Sequence, residues 1–245
     1  MIGTIDEAYS HKRNHNMFFL RNDNFLPGID KILSAFSGLL SDGTLLRHCV
    51  ASLYRVTVGF YLAVLIAIPL GIFLGRCPSV YRICNPFIQF LRPISPLAWV
   101  PFGILWFGIG DLPAIFIIFI ASFFPLVLAA ANAAASIHPM YFQVASNLRL
   151  SRWSSFWNLI LPATIPNIII VLRVTLGMAW VVVVAAEMIA VKSGLGFLIM
   201  DSRNAMRLDR VVVAMAAIGT VGLVMDFFMA RLERIDSARC KIEQK

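Results

Sequence analysis

Few side chains in this sequence could do chemistry, and most of them are embedded in apolar stretches. Arg55, Arg92, Arg173, Glu187 and Asp226 lie within or beside long hydrophobic runs. Charge at membrane depth costs on the order of a few kcal/mol, so such residues face a cavity, a partner residue or the headgroups. Arg55 and Asp226 fall near the ends of their runs, where snorkelling or interfacial placement is expected. Arg173 lies about ten residues past Pro162, on the order of 15 Å along a helix. Two readings stay open for it: a cavity-facing cation, or a structural hydrogen bond to a neighbouring helix. Arg92, beside Pro93, is placed to donate to the carbonyls of a broken helix or to attract an anion.

Recognisable catalytic patterns are missing. The sequence holds no G-x-x-x-x-G-K-[ST] stretch, so the chain alone cannot cradle nucleotide phosphates, and any coupling to ATP must come from a partner. G-x-S-x-G and H-E-x-x-H are absent as well, and no His clusters with carboxylates. His138, next to Pro139, reads as a helix-boundary residue. Cys49, Cys77, Cys84 and Cys240 form no C-x-x-C pair, which argues for ordinary membrane cysteines over metal or redox chemistry. No catalytic residue and no metal ligand set is therefore assigned.

The elements that must position these residues are membrane helices. At 59% hydrophobic and 14% charged residues over 245 positions, with a mean hydropathy of +0.80, the chain is too apolar for a soluble domain of this size. The net charge of +8 belongs to loops between apolar runs, where basic residues set topology and need no nucleic acid to explain them. A polar tail, residues 1–24, precedes an amphipathic interfacial helix within residues 25–50, its apolar face including Ile29, Ile32, Leu33, Phe36, Leu39 and Leu40. The membrane domain, residues 51–232, reads as about five spans: Ser52 to Gly75, Asn85 to Gly108, Ala114 to Ala135, Ala163 to Ala190 and Val211 to Met229. Pro86, Pro93, Pro96 and Pro101 predict that the second is a broken helix lining a cavity. Small residues, among them Gly71, Gly75 and Ala129 to Ala135 apart from Asn132, predict close helix packing within the chain or across a dimer.

Between the third and fourth spans, residues 137–162 read IHPMYFQVASNLRLSRWSSFWNLILP, with Arg149 and Arg152 and no acidic residue. Charge bias places this loop, Arg76 and the tail 233–245 in the cytoplasm. The same parity puts the N-terminus outside, against the charge of Lys12, Arg13 and Arg21; either that tail is tolerated there or an upstream span is absent. Within the loop Phe142, Ala145, Leu148, Trp153 and Phe156 recur as on short helices with one greasy face, a surface suited to docking on another protein.

These residues resemble the transmembrane permease subunits of bacterial ABC importers, the binding-protein-dependent transport inner-membrane components. That family carries a cytoplasmic loop of the form E-A-A-x(3)-G-x(9)-I-x-L-P. Here the corresponding positions are Gln143-Val144-Ala145, then Arg149 at the glycine, then Leu159-Ile160-Leu161-Pro162. The Glu, the Ala that follows it and the Gly are replaced. A glycine at 149 would permit a positive φ between two short helices, so arginine implies a different turn or an altered contact. Phe90 to Phe119, Trp180 to Ile199 and Asp209 to Glu233 resemble the nitrate, sulfonate, taurine and bicarbonate branch, and the likeness covers about Phe25 to Arg234. Members of the family tend to have one more N-terminal span.

What the resemblance implies is an all-α bundle of the type I importer kind, non-catalytic, in the bacterial inner membrane with a cytoplasmic C-terminus. Its expected partners are an ATPase subunit holding ATP and Mg²⁺, a periplasmic or lipid-anchored substrate-binding protein, a second permease copy in a homodimer, and membrane lipid. The ATPase-coupling residues carried over are Gln143, Ala145, Leu148, Arg149, Ser151, Arg152, Trp153, Phe156, Leu161 and Pro162. Arg92, Ser95, Trp99, Arg173 and Glu187 are the candidate translocation path. The outer segment with Lys192, Arg203, Arg207 and Arg210 could meet the binding protein, attract anions or simply cap the bundle. Two competing readings are an intramembrane enzyme using Arg92, Arg173 and Glu187 on a lipid-like substrate, and a stand-alone secondary transporter, which an inverted repeat would favour.

Overall fold

The computed structural model describes residues 27–149 and 151–242, without the side chains of Arg152 and residues 232–242. The polar segment 1–24 and the basic side chains of Arg234, Arg239, Lys241 and Lys245 lie outside the described residues. All regular elements described are helical.

Helix α1, Ile29–Ser41, buries Ala35 and Leu39 and leaves Ile29, Leu33, Phe36 and Leu40 exposed. It ends earlier than its hydrophobic pattern, which extends to Leu46, because Gly43 takes φ 67 and turns the chain. Residues 44–50 consequently join the first span instead of the interfacial helix. That span, α2, runs Thr44–Arg76, 33 residues and so about 50 Å, longer than a hydrocarbon core and obliged to tilt or project. The proline-rich stretch becomes α3, Pro78–Leu91, a 3₁₀ turn at Pro96–Trp99 and α4, Val100–Phe107, bent by 88° at the break. Next come α5, Asp111–Ala135, and two short pieces, α6, Pro139–Asn147, and α7, Arg152–Ser155. A π turn, Phe156–Ile160, merges α7 into α8, Leu161–Ala190. The chain closes with α9, Leu195–Asn204, and α10, Leu208–Ile242.

Side-chain neighbours fix the direction of each span. Gly59 of α2 lies against Ile115 and Ile118 of α5, Gly71 against Val127 and Ala130, and Gly75 against Ala131 and Ala134. Contact order rises along both helices together, so α2 and α5 run parallel. The chain must therefore recross the bilayer between Arg76 and Asp111, and the bent pair α3–α4 is the fifth span rather than a surface hairpin. Helix α8 runs the other way, with Ile168 packed among Ala130 and Ala134 and Ala186 among Ala114 and Ile117. Helix α10 reverses again, placing Ile218 and Gly222 beside Trp180 and Asp226 beside Arg173. The end of α2, the loop 136–160 and the far end of α10 thus share one face of the bundle, called here the loop face. Helix α1, the turn 108–110 and α9 occupy the opposite, distal face.

The tight α2–α5 seam has a simple sequence origin. Gly59, Ala63, Ala67, Gly71 and Gly75 recur every fourth residue and form a stripe without bulk, which lets the backbones approach. The small residues foreseen in the sequence serve packing within the chain.

Candidate functional site

The loop between α5 and α8 is built from two short helices. His138 caps α6, its Nδ1 accepting from the Met140 amide at 3.2 Å, and the Ser151 hydroxyl accepts from the Ser154 amide at 3.1 Å to cap α7. Between them Leu148 N–H reaches the Val144 carbonyl and Arg149 N–H the Ser146 carbonyl, at 3.0 and 2.9 Å. Arg149 has φ 51. The expected change of turn does not occur: arginine takes the left-handed conformation itself, at a cost of roughly 1–2 kcal/mol. Of the carried-over coupling residues, Ala145 is buried, and Phe156 and Leu161 pack on the cluster of Ile72, Ala130, Ala134 and Ile168. Phe156 is therefore an anchor to the bundle, not a free docking group. Gln143, Leu148, Arg149, Ser151, Trp153 and Pro162 are exposed, while the Arg152 side chain lies outside the described residues. Trp157, which pattern reading passed over, is exposed beside Trp153 with ring centroids 5.7 Å apart. Arg76 stacks over the Phe142 ring at 3.7 Å and ties the end of α2 to this loop.

Above the loop a cavity of about 930 Å³ lies between α3, the break, α5 and α8. Its polar lining includes Gln89, Arg92, Asn132, Ser136, Asn167 and Thr175. Ser136 follows the loop-face end of α5 and Thr175 lies deep in α8, so the cavity reaches from the loop face into the bundle. Towards the distal face, Val100, Ala114, Ile117, Ala186 and Ala190 pack together. Among the described lining residues Arg92 alone carries a charge. Ser95 and Trp99 occupy the break without lining the cavity; the Ser95 carbonyl accepts from the Ala98 amide at 2.9 Å, and the Trp99 ring is tilted by 52° to Phe102 with centroids 6.0 Å apart.

The other ionisable residues are held elsewhere. Arg173 reaches Asp226 of α10 through Nε at 2.8 Å and Nη2 at 2.9 Å, which realises the helix-to-helix bond of its two readings and gives Asp226 a partner instead of a snorkelling role. Arg55 does not snorkel. It is 1% exposed, with Nη1 donating to Glu187 Oε1 at 2.6 Å and to the Ser193 carbonyl at 2.9 Å. Its Nε and Nη2 donate to Asp111 Oδ1 at 2.8 and 2.7 Å, and Nη2 also reaches the Ser193 hydroxyl. Glu187, wholly buried, belongs to this cluster and not to the cavity wall. Its Oε2 accepts from the Ser52 hydroxyl at 2.8 Å and from the Gly196 amide at 3.0 Å. Arg92, Arg173 and Glu187 therefore fall in three separate surroundings, which removes the geometric basis for the intramembrane enzyme. The described residues contain no group of three or more His, Cys, Asp or Glu that could hold a metal. His48, Ser52 and Asp111 went unassigned in the sequence, and Arg55 reads there as a snorkelling or interfacial group. The available signal was the spacing of 48, 52 and 55, one face of a helix.

Comparison with known proteins agrees with this architecture. Residues 67–235 match the family model of the binding-protein-dependent transport system inner membrane component. The taurine transport system permease of Escherichia coli is 36% identical over 215 residues, covering 86% of this chain and 78% of that protein. The nitrate import permease of a Synechocystis strain is 38% identical over 185 residues, 76% of this chain and 67% of its own length. A solved inward-facing structure of the MetNI methionine ABC transporter superposes with a TM-score of 0.69 at 16% identity, over 79% of this chain and 96% of that one, and so shares the fold. The chain belongs to the binding-protein-dependent transport inner membrane components, the permease subunits of ABC importers.

Proposed function

We propose that this permease carries a small oxyanion, of the nitrate, bicarbonate, taurine or sulfonate kind, and that it does so as one of two copies driven by a separate ATPase. The observation that carries the reading is the cavity, in which a single arginine, Arg92, stands among the amides and hydroxyls of Gln89, Asn132, Ser136, Asn167 and Thr175. One guanidinium with neutral donors suits a small singly charged anion: it attracts the ion without holding it too tightly to release. The names of the taurine and nitrate relatives support the same substrate class. Trp153 and Trp157, exposed on the loop face, supply apolar surface for the ATPase groove, with Arg149 at its rim. ATP and Mg²⁺ then belong to that partner, a substrate-binding protein delivers the anion to the distal face, and the loop face is cytoplasmic.

The test is co-expression with the neighbouring genes, purification, and ATP-dependent uptake of labelled nitrate, taurine and bicarbonate into proteoliposomes. The reading expects an ATPase to co-purify and one of these anions to accumulate only with ATP. Trp153→Asp is expected to abolish transport-coupled ATPase activity while insertion stays normal. Transport without ATP hydrolysis, or coupling unchanged in that variant, refutes the reading.

A further inference from the structure

Trp99 carries an unused donor at the break in the second span. Its indole Nε1–H is buried and finds no acceptor among the described residues. A buried donor without a partner is costly, and phenylalanine would fill much of the same space without that cost. The local geometry shows where an acceptor could come from. Pro96–Trp99 is a 3₁₀ turn, in which residues three apart eclipse, so Trp99 shares a face with Pro96 and stands about 6 Å further along it. Pro96 lines the cavity. Val100, the next residue, is 3% exposed and packs with Ala114, Ile117, Ala186 and Ala190 towards the distal face. Trp99 therefore stands at the junction of the polar cavity and an apolar layer whose side chains offer no hydrogen bond.

We propose that Trp99 is an anion-binding residue of the transport path, its indole N–H donating to the substrate as this crosses the apolar layer between the distal face and the cavity. The inference rests on the anion-importer reading above and narrows its substrate class. An indole N–H can only donate, and so can the guanidinium of Arg92 at the cavity. Such stations suit a substrate that only accepts. Nitrate offers three acceptor oxygens and no donor, whereas the ammonium group of taurine sets a donor against a donor. A planar monoanion of the nitrate kind is thus favoured over a zwitterion. Neutrality has its own use at this point. One uncharged N–H compensates an anion that has shed water, without the full charge that would hold it there, and the ion can pass on to Arg92.

The test is uptake of labelled nitrate, taurine and bicarbonate by the complete transporter in proteoliposomes, counted per ATP hydrolysed so that the yield of assembled complex does not enter. Wild type should accumulate nitrate in preference to taurine. Trp99→Phe keeps an aromatic ring but removes the N–H, and should lower nitrate moved per ATP about tenfold. The thermal midpoint of that variant should stay level or rise, because a donor without an acceptor has gone. Trp99→Tyr, which returns a donor at the ring edge, should recover part of the uptake. Nitrate per ATP unchanged in Trp99→Phe overturns the proposal, and an equal loss in both variants assigns the effect to ring shape and overturns it as well. A lowered midpoint with uptake per ATP intact makes Trp99 a packing residue. Wild type that accumulates taurine or bicarbonate but not nitrate sinks the proposal and leaves the importer reading standing. Absence of ATP-dependent uptake of all three refutes that reading, and this proposal with it.

Discussion

Gly75→Ala is a severe test of the α2–α5 seam because it adds one methyl group where the structure leaves none. A Cβ at Gly75 would fall on the Ala131 carbonyl oxygen and within 3.0 Å of the Ala134 Cβ. Neither neighbour is a flexible side-chain tip, so the helices must part by on the order of 1 Å along a seam tightly packed elsewhere. Overpacking of this kind costs about 1–3 kcal/mol, while alanine regains about 0.5–1 kcal/mol over glycine inside a helix. The net loss is then about 1–2 kcal/mol, a fall of roughly 3–6 °C in thermal midpoint for a chain of this size. Gly219→Ala is the control, since a Cβ there meets nothing within 4 Å and only the propensity gain remains. Tryptophan fluorescence or size-exclusion after heating, in one detergent, reads both variants. Gly75→Ala as stable as Gly219→Ala would refute the seam, and with it the parallel pairing from which the crossing of α3–α4 is deduced.

Other outcomes follow from the same geometry. Arg149→Gly removes a left-handed arginine costing about 1–2 kcal/mol but loosens the unfolded chain, so thermal unfolding should show a net gain of about 0.5–1 kcal/mol. Arg92→Ala should abolish anion uptake without loss of ATPase assembly, and Arg92→Lys should keep part of it; uptake unaffected in Arg92→Ala removes the cavity from the anion path. For Arg173 and Asp226, Arg173→Ala should lower stability in detergent more than the double alanine variant does, because it leaves the Asp226 carboxylate without its guanidinium; a double variant worse than Arg173→Ala contradicts this.

How much of this was legible in the sequence divides along local and long-range lines. The broken span could be read from Pro86, Pro93, Pro96 and Pro101, since each proline acts on its own backbone. The two loop helices could be read from a local apolar period. Arg55 could not. Hydropathy starts the first span near Ser52, which puts Arg55 at the membrane edge, whereas the helix begins at Thr44 and the turn 193–196 packs over it. Its main partner, Glu187, is 132 residues away in sequence, and no local pattern records such a pairing.

Topology shows how two independent kinds of information can meet. Positive charge on Arg76, on the loop and on the tail orders the segments by side, while glycine contacts order α2 and α5 by direction. Either alone leaves the proline-rich pair ambiguous between a crossing and a hairpin, because a bend of 88° suits both. Parallel α2 and α5 permit only the crossing, and the charge parity then places Arg76 and the loop on one side, as the Arg76–Phe142 contact requires. At position 149 the two levels conflict. The local preference of arginine opposes a left-handed turn, yet the caps at His138 and Ser151 and the packing of Ala145 and Phe156 leave the connection no other course. A local penalty of about 1–2 kcal/mol yields to several tertiary constraints acting together. On the proposed reading of the loop as the ATPase-docking surface, arginine at 149 puts its charge on the exposed rim, so Arg149→Gly should gain stability but weaken ATPase affinity in a salt-dependent way. Affinity that falls equally at low and high salt would assign the loss to shape instead of charge.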